Sequence, residues 1–528
     1  MGTMTGCGAL FRLALRRDRW LLPIWIIGFS LVAMSSASAT KELYPSASSL
    51  RQAAATLNET GALVALYGRI YDATSLGAVS LIKLTGFGAA LVALLMAFFV
   101  VRHTRNEEES GRLELVCANA VGRQAPLAAA LLIGFASSLI LGIATGLGLA
   151  VTGLPVSGCI AFGLSWALTG IVFSAVAAIA AQVVTTGRAA VGLSAFVVGF
   201  AYVLRALGDV ASAGPGWLSW LSPIGWSQQL RPFAGDRWWV TALPLGCCVV
   251  LVPAAFALRS RRDLGAGLIP DRPGPGRGSL SGALALAVRL QRGSFVAWFV
   301  GSVAMGFVLG SVVSSVTDLL SSAEMKQLII ALGGEQRLTD AFVAAELAML
   351  GPVIAAYAVM AVRRLHGEEA AGHTELLLST ATTRIRWASG HTAVALAGSA
   401  VLMFATGAAI GVGYATDVGD WRQVGEIAVA GAAQIPAIWV VAACVVMIFG
   451  WAPGWIGAGW GLLVAFIVLG EFGALWQLPQ WVLDLSPFSH SPQLPGTNAQ
   501  FGALVPLTLL ALVGIGLGMV GWRRRDVL

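Results

Sequence analysis

The stretch RHTRNEEESGRLELVCANAVGR at 102–123 returns as RRLHGEEAAGHTELLLSTATTR at 363–384, an offset of 261 residues (363 − 102). Arg102, Glu107, Glu108, Gly111, Glu114, Leu115, Ala120 and Arg123 recur without a gap as Arg363, Glu368, Glu369, Gly372, Glu375, Leu376, Ala381 and Arg384. Eight identities in 22 positions mark an internal duplication, and self-similarity at one period sets the architecture before any single element does. Working outward, other matches keep the same order. Leu221-Ser222-Pro223 recurs as Leu485-Ser486-Pro487, and Arg261-Arg262-Asp263 as Arg524-Arg525-Asp526. Trp25 and Gly28 recur as Trp298 and Gly301 at an offset of 273 (298 − 25), so the first outer loop is 12 residues longer in the first copy (273 − 261). Length change in an external loop costs little.

Between these charged markers the chain is apolar: 57% of its 528 residues are hydrophobic and 11% charged, against about 25% charged in a soluble domain. A span needs about 20 apolar residues. Twelve candidates cover 20–38, 79–101, 126–150, 156–182, 189–208, 239–258, 295–317, 345–362, 391–415, 426–450, 455–473 and 500–522. The fold expected is therefore an all-α polytopic membrane protein of about 12 helices in two parallel six-helix repeats. Residues 1–263 form one half and 282–528 the other, joined by a Pro/Gly linker at 264–281.

Arginine is concentrated in 1–19, 102–125, 183–188, 259–294, 363–390 and 523–528, while the alternate loops are mixed or acidic. The positive-inside rule then places both termini in the cytoplasm of a bacterial inner membrane. The first apolar run also resembles a signal peptide ending at Ala37-Ser38-Ala39. Its recurrence mid-chain favours an uncleaved span. The net charge of +7 lies beside apolar runs, which fits topology and not nucleic acid. Six cysteines and five histidines show no metal-ligand spacing, and no metal site is expected.

The paired acidic loops carry the functional signal. If helical, Glu107, Gly111 and Glu114 share one face at i, i+4 and i+7, as do Glu368, Gly372 and Glu375. One reading is a short helix presenting carboxylates to a cytoplasmic partner. The other is a solvated loop with internal Glu–Arg pairs. No GxxxxGK[ST] loop exists, so any ATP chemistry belongs to another chain.

The segments 7–19 and 280–292 are basic and amphipathic and read as interfacial helices. Lys83 and Glu346 fall on equivalent second spans, each about 26–28 Å from the arginine-rich end. A pairing of the two across the halves would make an outer gate. Arg205, Asp209 and Glu471 lie at outer span ends and read as interfacial. Trp217, Trp220, Trp226, Trp238 and Trp239, with Trp476 and Trp481 in the copy, read as an aromatic belt at headgroup level. Ser222-Pro223 and Ser486-Pro487 read as turns.

The order of basic amphipathic N-terminus, span, long outer loop, span and EExxGxxEL loop resembles the ABC-2 type exporter permeases (type V exporter-like). The duplicated form resembles the actinobacterial tetronasin-resistance-type permeases. The second copy departs from the motif at His373, where the first has Arg112. The resemblance implies that Glu107, Glu108, Glu109, Gly111 and Glu114, and Glu368, Glu369, Gly372 and Glu375, form helices that couple to an ATPase. It implies a smaller contact at Thr185-Thr186-Gly187-Arg188, whose counterpart near Ala452-Pro453-Gly454 lacks an arginine. It implies an external cap from Trp217, Trp220, Ser222, Pro223, Trp226, Trp476, Trp481, Ser486 and Pro487.

Two copies of a cytoplasmic ATPase would bind ATP and Mg, and this chain would be no enzyme by itself. The cargo implied is a hydrophobic or amphipathic compound such as an antibiotic or drug. The alternative class is a proton-coupled multidrug carrier, which also has two parallel six-helix repeats. It would need buried carboxylates within the spans.

Overall fold

Inside lipid, every backbone N–H and C=O must find a partner within the chain, and the helix is the local solution. The computed structural model describes residues 2–44, 46–59, 61–210, 216–270, 280, 282–319, 335–472, 479–492, 494–495 and 501–526, and among them it contains helices and no strand. The protein is a polytopic all-α membrane protein. Eleven helices among the described residues are long and apolar enough to cross a bilayer. In the first half they are Leu21–Leu43, Leu84–Glu109, Ala125–Val151, Val156–Val183, Gly187–Val210 and Trp238–Ser260. In the second they are Ala283–Ser311, Thr339–Ala370, Arg384–Thr416, Arg422–Trp451 and Leu504–Arg524.

The twelfth expected span, 455–473, is met by a shorter apolar helix, Ala458–Gly470. Pro453–Trp455 forms a 3-10 turn that takes up its first residue, and 473–478 lie outside the described residues. The chain divides into two compact units, Met1–Gly274 and Pro275–Leu528.

In the first unit the fourth span, Val156–Val183, is the core element. Trp166 on it is fully buried against Phe162 and Phe29, and its indole N–H donates to the Leu84 carbonyl at 3.0 Å. Its hydroxyls need no outside partner: Thr169 and Ser174 donate to the carbonyls four residues back.

The two units differ in continuity. The first breaks after Cys7–Arg17, where buried Asp18 accepts from His103 and faces Arg102 at 3.1 Å. In the second, Gln291 stands at that register and bonds His391 at 3.2 Å, and Ala283–Leu319 runs as one helix. The second span is likewise interrupted in the first unit by a π-turn at Leu84–Gly88 and unbroken over Glu335–Ala370 in the second. The second unit's core is aromatic: Trp387, Phe449 and Trp522 lie with ring centroids 5.0–6.5 Å apart.

Candidate functional site: two clamped acidic helices

Each acidic loop runs from the end of a helix (Arg105–Glu109 in the first unit, the last turn of Glu335–Ala370 in the second) through a glycine in left-handed conformation into a short helix. Gly111 has φ 70° and Gly372 φ 74°, and the helices Arg112–Cys117 and His373–Leu378 follow directly. That conformation costs an L side chain about 1–2 kcal/mol, which explains why glycine recurs there. It also ends the preceding helix. The face shared by Glu107, Gly111 and Glu114 in a continuous helix therefore does not form, and neither does its copy.

The carboxylates divide instead by depth. Glu108 is buried, and Arg262, just past the sixth span, grips it with two parallel bonds of 2.7 and 2.8 Å. Arg105 adds a third at 2.7 Å and donates to the Ala181 carbonyl at the end of the fourth span. Arg262 also reaches Gln182 Oε1 at 2.8 Å.

Glu369, buried in the second unit, is gripped in the same way by Arg525 at 2.6 and 2.7 Å. Arg123 donates to the Arg262 carbonyl at 3.0 Å, and its repeat partner Arg384 to the Arg525 carbonyl at 2.6 Å. Two of the eight repeated identities, Glu108 and Arg123, thus join Arg262 of the repeated Arg-Arg-Asp motif in one clamp, made twice, between the acidic loop and the end of the sixth span. Such bidentate, charge-assisted pairs are the strong class of hydrogen bond.

Glu107 pairs with Arg17 of the N-terminal helix and lies 3.9 Å from Arg112. Glu368 pairs with Arg364, and with His373 at 3.0 Å. Glu109 is spent in a third way: its Oε2 accepts from the Gly187 N–H at 2.8 Å. It thereby caps the fifth span's N-terminus, at the loop that carries exposed Arg188. Ala370 occupies that register in the second unit and has no carboxylate to offer. What remains on the surface is Glu114 with Leu115, 74% exposed, and Glu375 with Leu376, 71% exposed. Each short helix presents an acidic and an apolar side chain side by side.

At the opposite end, Ser222 caps Pro223–Gln229 by accepting from the Gly225 N–H at 3.2 Å. Its hydroxyl also donates to the Ala201 carbonyl of the fifth span at 2.6 Å. Ser486, beside Pro487, makes the matching bond to the Phe466 carbonyl at 3.1 Å. Trp226 donates to the Trp220 carbonyl at 2.6 Å, while Trp217 and Trp481 are exposed. Trp476 lies outside the described residues.

Arg205 and Asp209, expected at an interface, are fully buried. The segment 61–70 covers them: Arg205 donates to the Ala65 carbonyl at 2.5 Å, and Ser219 donates to Asp209 Oδ1 at 2.9 Å. Lys83 is exposed, its Nζ 5.5 Å from the Tyr67 ring. Glu346 is buried, and its Oε2 has no hydrogen-bond partner among the described residues. Lys83 belongs to the first unit and Glu346 to the second.

The family model described as "Multidrug efflux system permease Rv1217c, C-terminal domain" matches residues 8–259 and 280–523. The chain belongs to this family. It is also 43% identical, over 99% of its length and 95% of the relative's, to the "Multidrug efflux system permease protein Rv1217c" of Mycobacterium tuberculosis (strain ATCC 25618 / H37Rv). The two matched stretches flank the linker segment 260–279. Each contains one complete acidic loop and ends close to its clamping arginine.

Sequence reasoning did not assign Arg105, Arg262 and Arg525 to the site, nor Leu115 and Leu376. A signal existed for the clamp. Two short motifs recur together, EExxG and Arg-Arg-Asp, and residues that drift less than their surroundings in both copies are candidates to touch.

Proposed function

We propose that this chain is the membrane-spanning subunit of an ATP-driven exporter of hydrophobic or amphipathic compounds, and that each unit docks one copy of a separate cytoplasmic ATPase. The observation that carries this reading is the repeated surface pair, Glu114–Leu115 and Glu375–Leu376, on short helices that follow, across one glycine, the carboxylates that a buried Arg–Glu clamp ties to the end of the sixth span. An exposed leucine in water gains nothing by itself. Beside a carboxylate, on a helix held rigidly, it is suited to a partner's pocket with a basic rim. The clamp would then transmit motion of that helix to the spans. ATP binding in the partner shifts the permease between two states only to the extent that the partner binds them unequally.

Membership of the permease family and the multidrug wording of the relative's name support the cargo class. The arginine-rich loops support a cytoplasmic position for both termini. In the test, E114A/E375A is reconstituted with the ATPase that co-purifies with the wild-type chain. The double variant is expected to keep hydrolysing ATP while cargo efflux falls about tenfold or more, the effect of one lost charged contact in each unit. Unchanged efflux per ATP would remove the docking role.

One observation favours the second reading, a proton-coupled carrier. Glu346 is a buried carboxylate on a span, with one oxygen left without a partner among the described residues. E346Q separates the two. A carrier loses proton-driven uptake into vesicles entirely, whereas the exporter keeps its ATP-dependent flux.

A further inference from the structure

In the first unit a cavity of about 460 Å³ opens between the N-terminal helix Cys7–Arg17, the short helix Arg112–Cys117 and the start of the third span. One wall is cationic, with Arg16, Arg17 and Arg112, and the other is apolar, including Leu13, Val116 and Ala130. The lining carboxylate is Glu107, which pairs with Arg17 and lies 3.9 Å from Arg112. His103, also in the wall, is taken by Asp18. One carboxylate against three guanidinium groups leaves two positive charges facing the space.

We propose that this cavity binds the phosphate headgroup of an anionic phospholipid, with the glycerol and first methylenes lying along the apolar wall. A soluble anion would satisfy the arginines and leave that wall bare, and a lipid of no net charge would cover the wall and leave the excess positive charge unbalanced. An anionic amphiphile satisfies both. Arginine suits the phosphate because its planar fork offers paired donors, and basic pockets at span ends on the inner face hold such headgroups. The cavity shares Arg112, Leu113 and Val116 with the helix whose outer face carries Glu114 and Leu115. Lipid in the cavity therefore braces the proposed docking surface from behind. The choice of leaflet rests on the orientation proposed above; the site itself does not.

The test is native mass spectrometry of the delipidated full chain titrated with phosphatidylglycerol, with phosphatidylcholine as the neutral control. Phosphatidylglycerol is expected to bind one tight site that phosphatidylcholine does not fill. R112Q is expected to weaken it about fivefold, and R16Q/R112Q about thirtyfold, since each arginine near the surface contributes about one such factor. Arg112 is 63% exposed on its side chain, and the double variant leaves the Arg17–Glu107 pair in place, so both variants should unfold at the wild-type temperature. Equal binding of phosphatidylglycerol to R16Q/R112Q, or equal binding of the two lipids, would overturn the proposal. Displacement by millimolar inorganic phosphate would also overturn it, by marking a site for soluble anions. The assay contains no ATPase and no transport step, so the exporter reading can fail without touching this result.

Discussion

In the first unit Glu108 lies between Arg105 and Arg262, and the fourth span joins in through Ala181 and Gln182. In the second, Arg525 grips Glu369, and His366 stands at the register of Arg105. The first unit also ties its acidic loop to the fifth span through Glu109 and Gly187. The second has Ala370 there, and its corresponding short turn carries exposed Trp451 and Trp455. The shared part is small: one carboxylate, one guanidinium from the end of the sixth span, and one arginine on that guanidinium's own carbonyl. Everything around it has drifted. Drift that spares three interlocking positions twice points to the clamp as the piece both units need, with the added charges of the first unit as local reinforcement.

That contrast can be broken by substitution. The largest effect is expected from E108A. It leaves Arg105 and Arg262 facing each other in a buried site, and removing one partner of a buried pair costs about 3–5 kcal/mol. E369A strands Arg525, which is partly exposed and stacks on Trp522. Its cost should be nearer the value of a charged hydrogen bond, about 1.5–3 kcal/mol. Thermal unfolding of both variants in the same detergent checks the order, and a reversed order would dissolve the distinction between reinforced and minimal clamp.

A smaller and equal loss is expected from G111A and G372A, about 1–2 kcal/mol each, because both positions hold the same left-handed turn with open space around the missing Cβ. Unequal losses would mean that the two turns do different work. Smallest is E109A, about 0.5–1 kcal/mol, the usual worth of an acidic group at a helix N-terminus. It should appear as faster hydrogen exchange at 187–190 and nowhere in the second unit.

The duplication was readable because the markers, EExxGxxEL and Arg-Arg-Asp, are short, charged and set between apolar runs. The span positions followed from length and hydropathy. What each carboxylate does was not readable. Glu107, Glu108 and Glu109 are adjacent and chemically alike, yet one meets the N-terminal helix, one a clamp 154 residues away and one a helix cap. Only packing separates them. Arg205 and Asp209 teach the same lesson. Placed at a span end they read as interfacial, and they are buried because 61–70, about 140 residues earlier, folds over them.

The apolar member of the surface pair was passed over for the opposite reason. A single leucine after a glutamate carries no signal until its exposure is known. The fifth span of the second half starts later than its hydropathy suggested, at Ala458, because Pro453 starts a 3-10 turn in place of a helix.

The count of ATPase chains held by the intact permease tests the central claim most directly, measured as the mass of the purified complex for the wild type, L115D, L376D and the double variant. Two ATPase copies are expected on the wild type, one on each single variant and none on the double. A double variant that still carries two copies, or single variants that lose both together, would show that these helices are not the separate points of attachment.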